Sequence, residues 1–199
     1  MQTIILDLGG VLVEETTQVR DAAKTLGVAP HEITRRYWSE RDAWDRGADD
    51  LTYWAAVAQG AGVTIDAAVA DQLARHDAKV WTTLRPTALE LLVDLAMSPH
   101  DVWVLSNAAA CFERAIAESD WGELVNGWFV SGSLRMMKPE STIYQHVEQS
   151  LGVDPASLCF VDDRPENIAA AEQRGWQTHL WQSDQDTRAW LVESGFLPE

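Results

Sequence analysis

The sequence predicts a parallel α/β fold that carries an all-helical insert. Short apolar runs of β-prone residues alternate with segments of helical periodicity, and this alternation is typical of a parallel sheet flanked by helices. Residues 14–82 interrupt the alternation, because they contain helical patterns and no convincing strand. We therefore expect a core formed by residues 1–13 and 83–199, with residues 14–82 inserted as a helical cap above the first strand.

Five short apolar segments are predicted to form the strands of the core sheet. They are Thr3–Leu6, Val102–Leu105, Gly127–Val130, Leu158–Val161 and Thr178–Trp181. Helical spacing predicts helices in the gaps between strands, with Gly152 and Gly175 as typical helix-stop residues. These helices are Thr87–Met97, Cys111–Glu118, Ser141–Leu151 and Asn167–Arg174.

The insert shows helical spacing in two places. Apolar positions between Val19 and Leu26 recur every three or four residues, and the pattern stops at Gly27. Apolar positions between Ile65 and Leu73 recur every four residues. Both patterns predict amphipathic helices that bury one face.

Composition and charge exclude several classes of partner. Hydrophobic residues make up 46% and charged residues 23% of the 199 residues, which is ordinary for a globular protein. The formal net charge of −16 disfavours binding to nucleic acid or to an anionic membrane surface. No apolar stretch approaches the roughly 20 residues of a membrane-spanning helix, and no signal peptide is evident. The oligomeric state stays open.

The two cysteines favour a cytoplasmic location. Cys111 and Cys159 lie far apart in apolar surroundings, so we expect two buried free thiols. Such thiols suit a reducing compartment.

The segment Thr3–Gly10 places a single carboxylate at the end of a buried strand. Ligand sites of open α/β sheets lie at the carboxyl ends of the strands, so Asp7 is a candidate nucleophile for phosphoryl transfer. An aspartate that only caps the following turn is the alternative interpretation. Three later segments favour the first interpretation, because each is expected to reach the same edge of the sheet.

Two of these segments supply hydrogen-bond donors and a positive charge. Ser106 and Asn107 follow the second predicted strand, where donors suit a phosphoryl group whose charge spreads over three oxygens. A helix cap is the commoner role of this pair. Lys138, which precedes Pro139, could neutralise repulsion between the nucleophile and a phosphate, although an isolated Lys-Pro pair is usually exposed.

The third segment predicts a magnesium site. Asp162 and Asp163 follow a predicted buried strand, and two adjacent carboxylates there are unfavourable unless a cation or water meets them. Mg²⁺ is commonly held by one or two carboxylates, waters and a substrate phosphate. Solvated acids of a turn are the alternative.

The helical insert offers candidate contacts for the substrate. Arg41 and Arg46 could reach an anionic substrate from above Asp7, with exposed salt bridges as the alternative. Trp38, Trp44 and Trp54 could line a pocket, although packing in a core is the commoner role of tryptophan.

In this order, the motifs resemble those of the haloacid dehalogenase-like hydrolase superfamily over nearly the whole chain. The segment Asp7–Val13 is similar to its first motif, Ser106–Asn107 to its second, Lys138–Pro139 to its third, and Asp162–Asp163 with Asn167 to its fourth. The insert resembles the first (C1) type of cap in that superfamily. The resemblance implies a Rossmann-like core, dependence on Mg²⁺ and usually phosphatase activity. The most similar subgroup contains the α-D-glucose-1-phosphate phosphatases.

One position departs from the family pattern. Phosphatases of this superfamily usually carry a second Asp two residues after the nucleophile, as general acid and base, where this chain has Gly9. The resemblance implies that this residue binds the metal through its backbone carbonyl, which Gly9 retains. A positioned acid or base typically contributes ~10²–10⁴-fold in rate. We therefore expect slow turnover, or a substrate with an acidic leaving group such as a sugar 1-phosphate.

The leading hypothesis is a Mg²⁺-dependent phosphoric monoester hydrolase that acts on a small phosphorylated metabolite through an aspartyl-phosphate. Its catalytic residues would be Asp7, Ser106, Asn107 and Lys138, its metal ligands Asp7, Gly9, Asp162 and Asp163, and its substrate contacts Ser106, Asn107, Lys138, Arg41 and Arg46. A 2-haloacid dehalogenase is one alternative, but those relatives need no metal and lack the paired acids. A non-catalytic protein that binds a phosphorylated metabolite is the other.

Overall fold

The computed structural model describes residues 2–14 and 17–198 and contains one five-stranded parallel sheet. The strands are β1 (Thr3–Leu6), β2 (Asp101–Ser106), β3 (Gly127–Val130), β4 (Leu158–Asp162) and β5 (Gln177–Leu180). Their spatial order is β3-β2-β1-β4-β5, and every neighbouring pair is parallel. The predicted parallel α/β class is confirmed.

Strand register brings three polar residues to one edge of the sheet. Leu6 of β1 pairs with Val104 of β2 and with Val161 of β4. Asp7 therefore lies one residue beyond the last pair on β1, and its N–H continues the ladder by donating to the Val161 carbonyl at 2.9 Å. Ser106 and Asp162 are the final residues of β2 and β4, so they end beside Asp7.

In the described part of the chain between β1 and β2 there are six helices, the last of which leads into β2. They are α1 (Gln18–Leu26), α2 (Pro30–Ser39), α3 (Arg41–Asp45), α4 (Asp50–Gln59), α5 (Ala67–Trp81) and α6 (Pro86–Ala96). In the part of residues 14–82 that the structure describes there is no strand, as predicted. The exact boundaries of a separate cap domain stay a prediction.

The remaining helices alternate with the strands. They are α7 (Cys111–Ala117), α8 (Ser131–Leu134), α9 (Ser141–Leu151), α10 (Pro165–Glu172) and α11 (Asp184–Glu193). The helix predicted over Asn167–Arg174 begins two residues earlier, because Pro165 occupies its first turn, a position for which the fixed φ of proline is suited.

Both faces of the sheet are buried, as expected for parallel strands covered by helices. Ile4 and Leu6 of β1 face one apolar cluster, whereas Ile5 faces another. The first cluster continues without a break into the insert, where it includes Tyr37 and Trp44. The insert and this face of the sheet therefore share one core.

Of Trp38, Trp44 and Trp54, two pack in the core. Trp44 and Trp54 are fully buried, whereas Trp38 remains 38% exposed. Cys159 is buried and Cys111 is partly buried, and both are free. Burial raises the pKa of both thiols. Across the described residues, none of the helices has the length and apolar character needed to cross a bilayer.

Candidate active site

A cavity of about 510 Å³ lies at the carboxyl edge of the sheet, between the core and the insert. From the core it is lined by Asp7, Gly9, Gly10, Ser106, Asn107, Lys138, Asp163 and Asn167, and from the insert by Trp38, Arg41, Asp42, Asp45 and Trp81. A second cavity, of about 580 Å³, lies beside α5 and α7, and none of the predicted site residues line it. Chemistry rather than volume therefore identifies the first cavity as the candidate active site.

Lys138 is the central positive charge of the site. Its ammonium group lies 2.9 Å from Asp7 Oδ1 and donates to Asp162 Oδ2 at 2.7 Å and to the Leu105 carbonyl at 2.8 Å. These three acceptors match the three protons of the ammonium group. The lysine is 2% exposed, and the two carboxylates raise its pKa despite burial. It therefore stays charged and joins the ends of β1, β2 and β4.

Asn107 holds the backbone of Lys138 in place. The Lys138 N–H donates to Asn107 Oδ1 at 2.9 Å, and Asn107 Nδ2 donates to the Lys138 carbonyl at 2.9 Å. Both ends of the side-chain amide are thus engaged. Asn107 therefore positions the lysine through one of the two N–H groups of its amide, and the residue also lines the cavity.

Asp162 is fully buried and surrounded by donors. Besides Lys138, its carboxylate accepts from the Arg164 N–H at 2.8 Å and from Asn167 Nδ2 at 2.9 and 3.0 Å. Lys138 and these donors lower its pKa below the ordinary value, although burial acts in the opposite direction. Asp162 is therefore the permanent partner of Lys138.

Asp7 has the opposite electrostatic balance. Burial, together with the nearby charges of Asp162 and Asp163, raises its pKa to about 8, although Lys138 acts to lower it. Its Oδ1 also accepts from the Leu8 N–H at 2.7 Å. Lys138 therefore pairs with both Asp7 and Asp162, but only for Asp7 do burial and the neighbouring acids outweigh it and raise the pKa.

Asp163 completes a cluster with the geometry of a cation site. Oxygens of Asp7, Asp162 and Asp163 all lie within 4.8 Å of one another. Burial and the charge of Asp162 raise the pKa of Asp163, as expected where negative charge is in excess. The buried Oδ1 of Asn167 has no partner among the described residues, although Asn167 lines the cavity. A hydrated divalent cation would satisfy both the charge and this acceptor.

The two glycines after Asp7 differ in what surrounds them. At Gly10, which has a φ of +82°, a Cβ would stand 2.4 Å from Asp163 Oδ2, so the missing side chain makes room for that carboxylate. At Gly9, a Cβ would stand 3.4 Å from Cζ3 of Trp81. A side chain at the position where phosphatases of the resembled family carry a second aspartate would therefore begin in contact with an indole ring.

Arg41 reaches the cavity but is neutralised there. Its guanidinium lies 3.0 Å from Asp45 Oδ1 and 3.1 Å from Asp77 Oδ2, and it donates to the Tyr37 hydroxyl at 3.0 Å. Burial raises the pKa of Asp45 to about 6, although Arg41 acts to lower it. Arg41 contributes a paired charge rather than a free one.

Arg46 does not line the cavity. It is 44% exposed and pairs with Asp42, 2.9 Å away, and with Glu140. The alternative interpretation of an exposed salt bridge thus describes this residue. The bridge links α3 to the segment that precedes α9.

Sequence reasoning missed the residues that organise the insert side of the cavity. The Tyr37 hydroxyl donates to Asp77 Oδ1 at 2.6 Å and accepts from Trp81 Nε1 at 3.0 Å as well as from Arg41. Asp77 lies on an otherwise apolar helix face and is 2% exposed, so a buried acid at helical spacing was the available signal. Asn167 belongs to the fourth of the resembled motifs, but only the fold shows that it donates to Asp162.

A family model for haloacid dehalogenase-like hydrolase matches residues 1–175, so the chain belongs to the haloacid dehalogenase-like hydrolase family. Among curated proteins, drimenol cyclase drtB of Aspergillus calidoustus is 26% identical over 96% of this chain and 36% of its own length. Sesquiterpene phosphatase astK of Aspergillus oryzae is 33% identical over 46% of this chain and 48% of its own length. The chain thus spans between a third and a half of these two relatives.

Solved structures share the fold at low identity. A HAD family enzyme from Bacteroides thetaiotaomicron, in its magnesium complex, gives a TM-score of 0.76 at 19% identity over 96% of this chain and 98% of that one. The wild-type form of that enzyme was also crystallised with magnesium and inorganic phosphate. L-2-haloacid dehalogenase from Xanthobacter autotrophicus gives a TM-score of 0.72 at 21% identity, over 100% of this chain and 85% of that one.

Proposed function

We propose that the protein is a Mg²⁺-dependent phosphatase that hydrolyses a small phosphomonoester through an aspartyl-phosphate on Asp7. The supporting observation is the charge arrangement around Asp7. One of its oxygens faces Lys138 at 2.9 Å, and its carboxylate shares a cation-sized cluster with Asp163. This combination supplies a nucleophile and positive charge for the transferring group.

In the first step, a carboxylate oxygen of Asp7 attacks phosphorus, and the bond between phosphorus and the ester oxygen breaks. Lys138, held by Asn107 and Asp162, balances the charge on Asp7 and on the phosphoryl oxygens. Ser106, which is buried at the end of β2 and lines the cavity, would contact the same oxygens. In the second step, water attacks the phosphorus of the aspartyl-phosphate, which releases inorganic phosphate and restores Asp7.

The residues present fit a Mg²⁺ ion. Asp7, Asp163 and the carbonyl of Gly9 would hold it, while Asp162 would act mainly by fixing Lys138, because its carboxylate already accepts four hydrogen bonds from three donor groups. Bound there, the ion would stabilise negative charge on the phosphoryl oxygens. Binding of Mg²⁺ at this position, and the three residues named as its ligands, belong to the proposal.

The leaving group departs without a built-in acid. Gly9 provides no proton donor, and the ring of Trp81 covers the space beside it. A leaving group that is stable as an anion, such as the anomeric oxygen of a sugar 1-phosphate, would react fastest. The phosphatase named among the relatives and the Mg²⁺ and phosphate bound to a protein of the same fold support the reaction class.

A dehalogenase is the second candidate, because its fold is similar. Such a reaction would use Asp7 on carbon and would need a free cation for the substrate carboxylate. The observed pairing of Arg41 with two aspartates and the excess of acids near Asp7 favour phosphate chemistry instead.

The test is release of phosphate from a panel of phosphomonoesters with Mg²⁺ and with EDTA. We expect turnover only with Mg²⁺, at least about 10³-fold loss in Asp7→Asn, and full activity in the matched surface variant Asp120→Asn. Quenched reactions should show one added phosphoryl group on the peptide that contains Asp7. Turnover that is equal in Asp7→Asn, or absent from the whole panel, would refute the proposal. Tight binding without hydrolysis would identify a binding protein, and EDTA-insensitive halide release a dehalogenase.

A further inference from the structure

The cations that line the candidate active site are all paired within the described part of the chain. The lining cations are Arg41, Lys138 and Arg164. Arg41 and Lys138 each contact two carboxylates, and Arg164 lies 2.6 Å from Glu166. The insert adds Asp42 and Asp45 to the same wall. A substrate with a second anionic group would therefore meet acids there and no unpaired cation.

Arg41 is also prevented from swinging toward a substrate. Its guanidinium stacks 5.0 Å from the ring centre of Trp44 and 5.5 Å from that of Trp81. The Tyr37 hydroxyl is hydrogen-bonded to Asp77, Trp81 and Arg41. Releasing Arg41 would leave Asp45 and Asp77 buried without their partner, which is strongly unfavourable.

The same wall presents flat apolar groups. Trp38, Trp81 and Phe112 line the cavity from the insert side and from α7, and Met137 lines it from the core. Trp38 meets Trp81 edge to face, with ring centres 6.3 Å apart, and Trp38 remains 38% exposed. Rings of this kind bind apolar or ring-shaped groups by their faces and edges.

From these features we infer that the substrate is a phosphate ester with an uncharged organic group that presents a flat or apolar face, and that a second anionic group on the ester weakens binding. The inference rests on the proposed function, whose phosphate site it extends to the organic part of the substrate. Sugar 1-phosphates and esters of aromatic or other apolar alcohols share this chemistry, and turnover distinguishes them.

Binding of phosphonates, which cannot be hydrolysed as esters are, tests the inference independently of catalysis. We would measure by calorimetry, with Mg²⁺, the dissociation constants of benzylphosphonate, naphthylmethylphosphonate and 4-carboxybenzylphosphonate. We expect the carboxylated probe to bind at least about tenfold more weakly than benzylphosphonate, because it places like charges together. The naphthyl probe should bind more tightly than the benzyl probe. Equal or reversed preferences would overturn the inference.

Two variants assign the preference to particular residues. Trp38→Ala should weaken binding of the naphthyl probe by about tenfold, through lost apolar contact, whereas Leu89→Ala, which truncates a side chain of equal 38% exposure outside this cavity, should leave it unchanged. Asp45→Asn frees part of the charge of Arg41, so it should improve binding of 4-carboxybenzylphosphonate relative to benzylphosphonate. No gain in this ratio, while the variant stays folded, would contradict the role given to Arg41.

Turnover separates this inference from the proposed function. Phenyl phosphate, 3-carboxyphenyl phosphate and glucose 1-phosphate would be compared by kcat/KM. Hydrolysis of the first or third with little hydrolysis of the second supports both proposals. Preferred hydrolysis of the carboxylated ester retains the phosphatase and refutes the substrate class. The expected order of phosphonate binding without any hydrolysis retains the ligand class and refutes the phosphatase.

Discussion

The side-chain amide of Asn107 binds both the N–H and the carbonyl of Lys138, each at 2.9 Å. This contact fixes the one lysine that meets Asp7 and Asp162. A misplacement of about 1 Å at such a group can reduce a rate by ~10²-fold. We expect Asn107→Ala to lower kcat by about that factor with a smaller effect on KM. Steady-state kinetics on a folded variant checks this, and an unchanged kcat would show that Lys138 holds its place unaided.

Removing the positive charge of Lys138 should destabilise the fold as well as the reaction. In Lys138→Met, Asp162 would keep its negative charge at a fully buried position. Breaking a buried ion pair in this way typically lowers the free energy of unfolding by about 3–5 kcal/mol. Urea unfolding at pH 7 measures the loss. Surface variant Lys24→Met is the control, and equal stability of the two variants would contradict the central role of the lysine.

Asp7 is expected to lower the stability of the metal-free protein. Its folded pKa, raised from 3.8 to about 8, means that its contribution to stability is complete below pH 3.8 and is lost as the pH rises through about 8. Asp7→Asn should therefore become more stable than the wild type over this window, by on the order of 1 kcal/mol at pH 8. Thermal unfolding in EDTA at several pH values measures the difference. If the stability advantage of Asp7→Asn over the wild type instead became smaller as the pH rose, the raised pKa of Asp7 would be contradicted.

Magnesium should compete with the proton on Asp7. Because burial and neighbouring acids raise the pKa of Asp7 to about 8, binding of the ion displaces a proton at lower pH. Apparent affinity for Mg²⁺ should rise by up to about tenfold per pH unit between pH 6 and 8 and then level off. Calorimetry in buffers of different ionisation enthalpy counts the released proton. Affinity independent of pH would exclude Asp7 as a ligand.

Gly10 and Gly9 form a matched pair for substitution. Gly10→Ala would force a left-handed φ of +82° on a residue with a side chain and would place its Cβ 2.4 Å from Asp163 Oδ2. We expect a loss of about 1–2 kcal/mol of stability from the backbone conformation, together with weaker Mg²⁺ binding. Gly9→Ala meets only ordinary contact with Trp81 and should fold normally. Equal Mg²⁺ affinity in the two variants would show that Asp163 is not a ligand of the metal.

The strands and most helices could be predicted because periodicity and stop residues are local signals. Because β1 is buried on both faces, it is a continuous apolar run that can be recognised in the sequence. Gly152 ends α9 with a left-handed φ. The rule for parallel strands predicts the edge of the sheet at which Asp7 and Asp162 meet, whereas the place of Lys138, which ends no strand, is predicted only by the order of the motifs. These parts depend on chain direction and residue spacing alone.

Roles that depend on side-chain partners could not be predicted in the same way. Arg41 and Arg46 are five residues apart on α3 and its end, yet one is buried between two aspartates and the other is exposed. The two hydrogen bonds between the Asn107 side chain and the backbone of Lys138 could not be predicted, because the two residues are 31 positions apart. Tertiary packing decides such pairings, and a single sequence carries no record of them.

The continuous core has a further consequence for how specificity can change. The aromatic residues of the insert pack into the same cluster as Ile4 and Leu6, and the Ser131 hydroxyl donates to the Asp45 carbonyl at 2.6 Å. Wide separation of the two parts would expose this apolar surface, which opposes any large opening of the cavity over Asp7. Specificity for a new substrate would then arise by substitution of cavity-lining side chains of the insert such as Trp38. The reacting groups at the carboxyl edge of the sheet would stay the same.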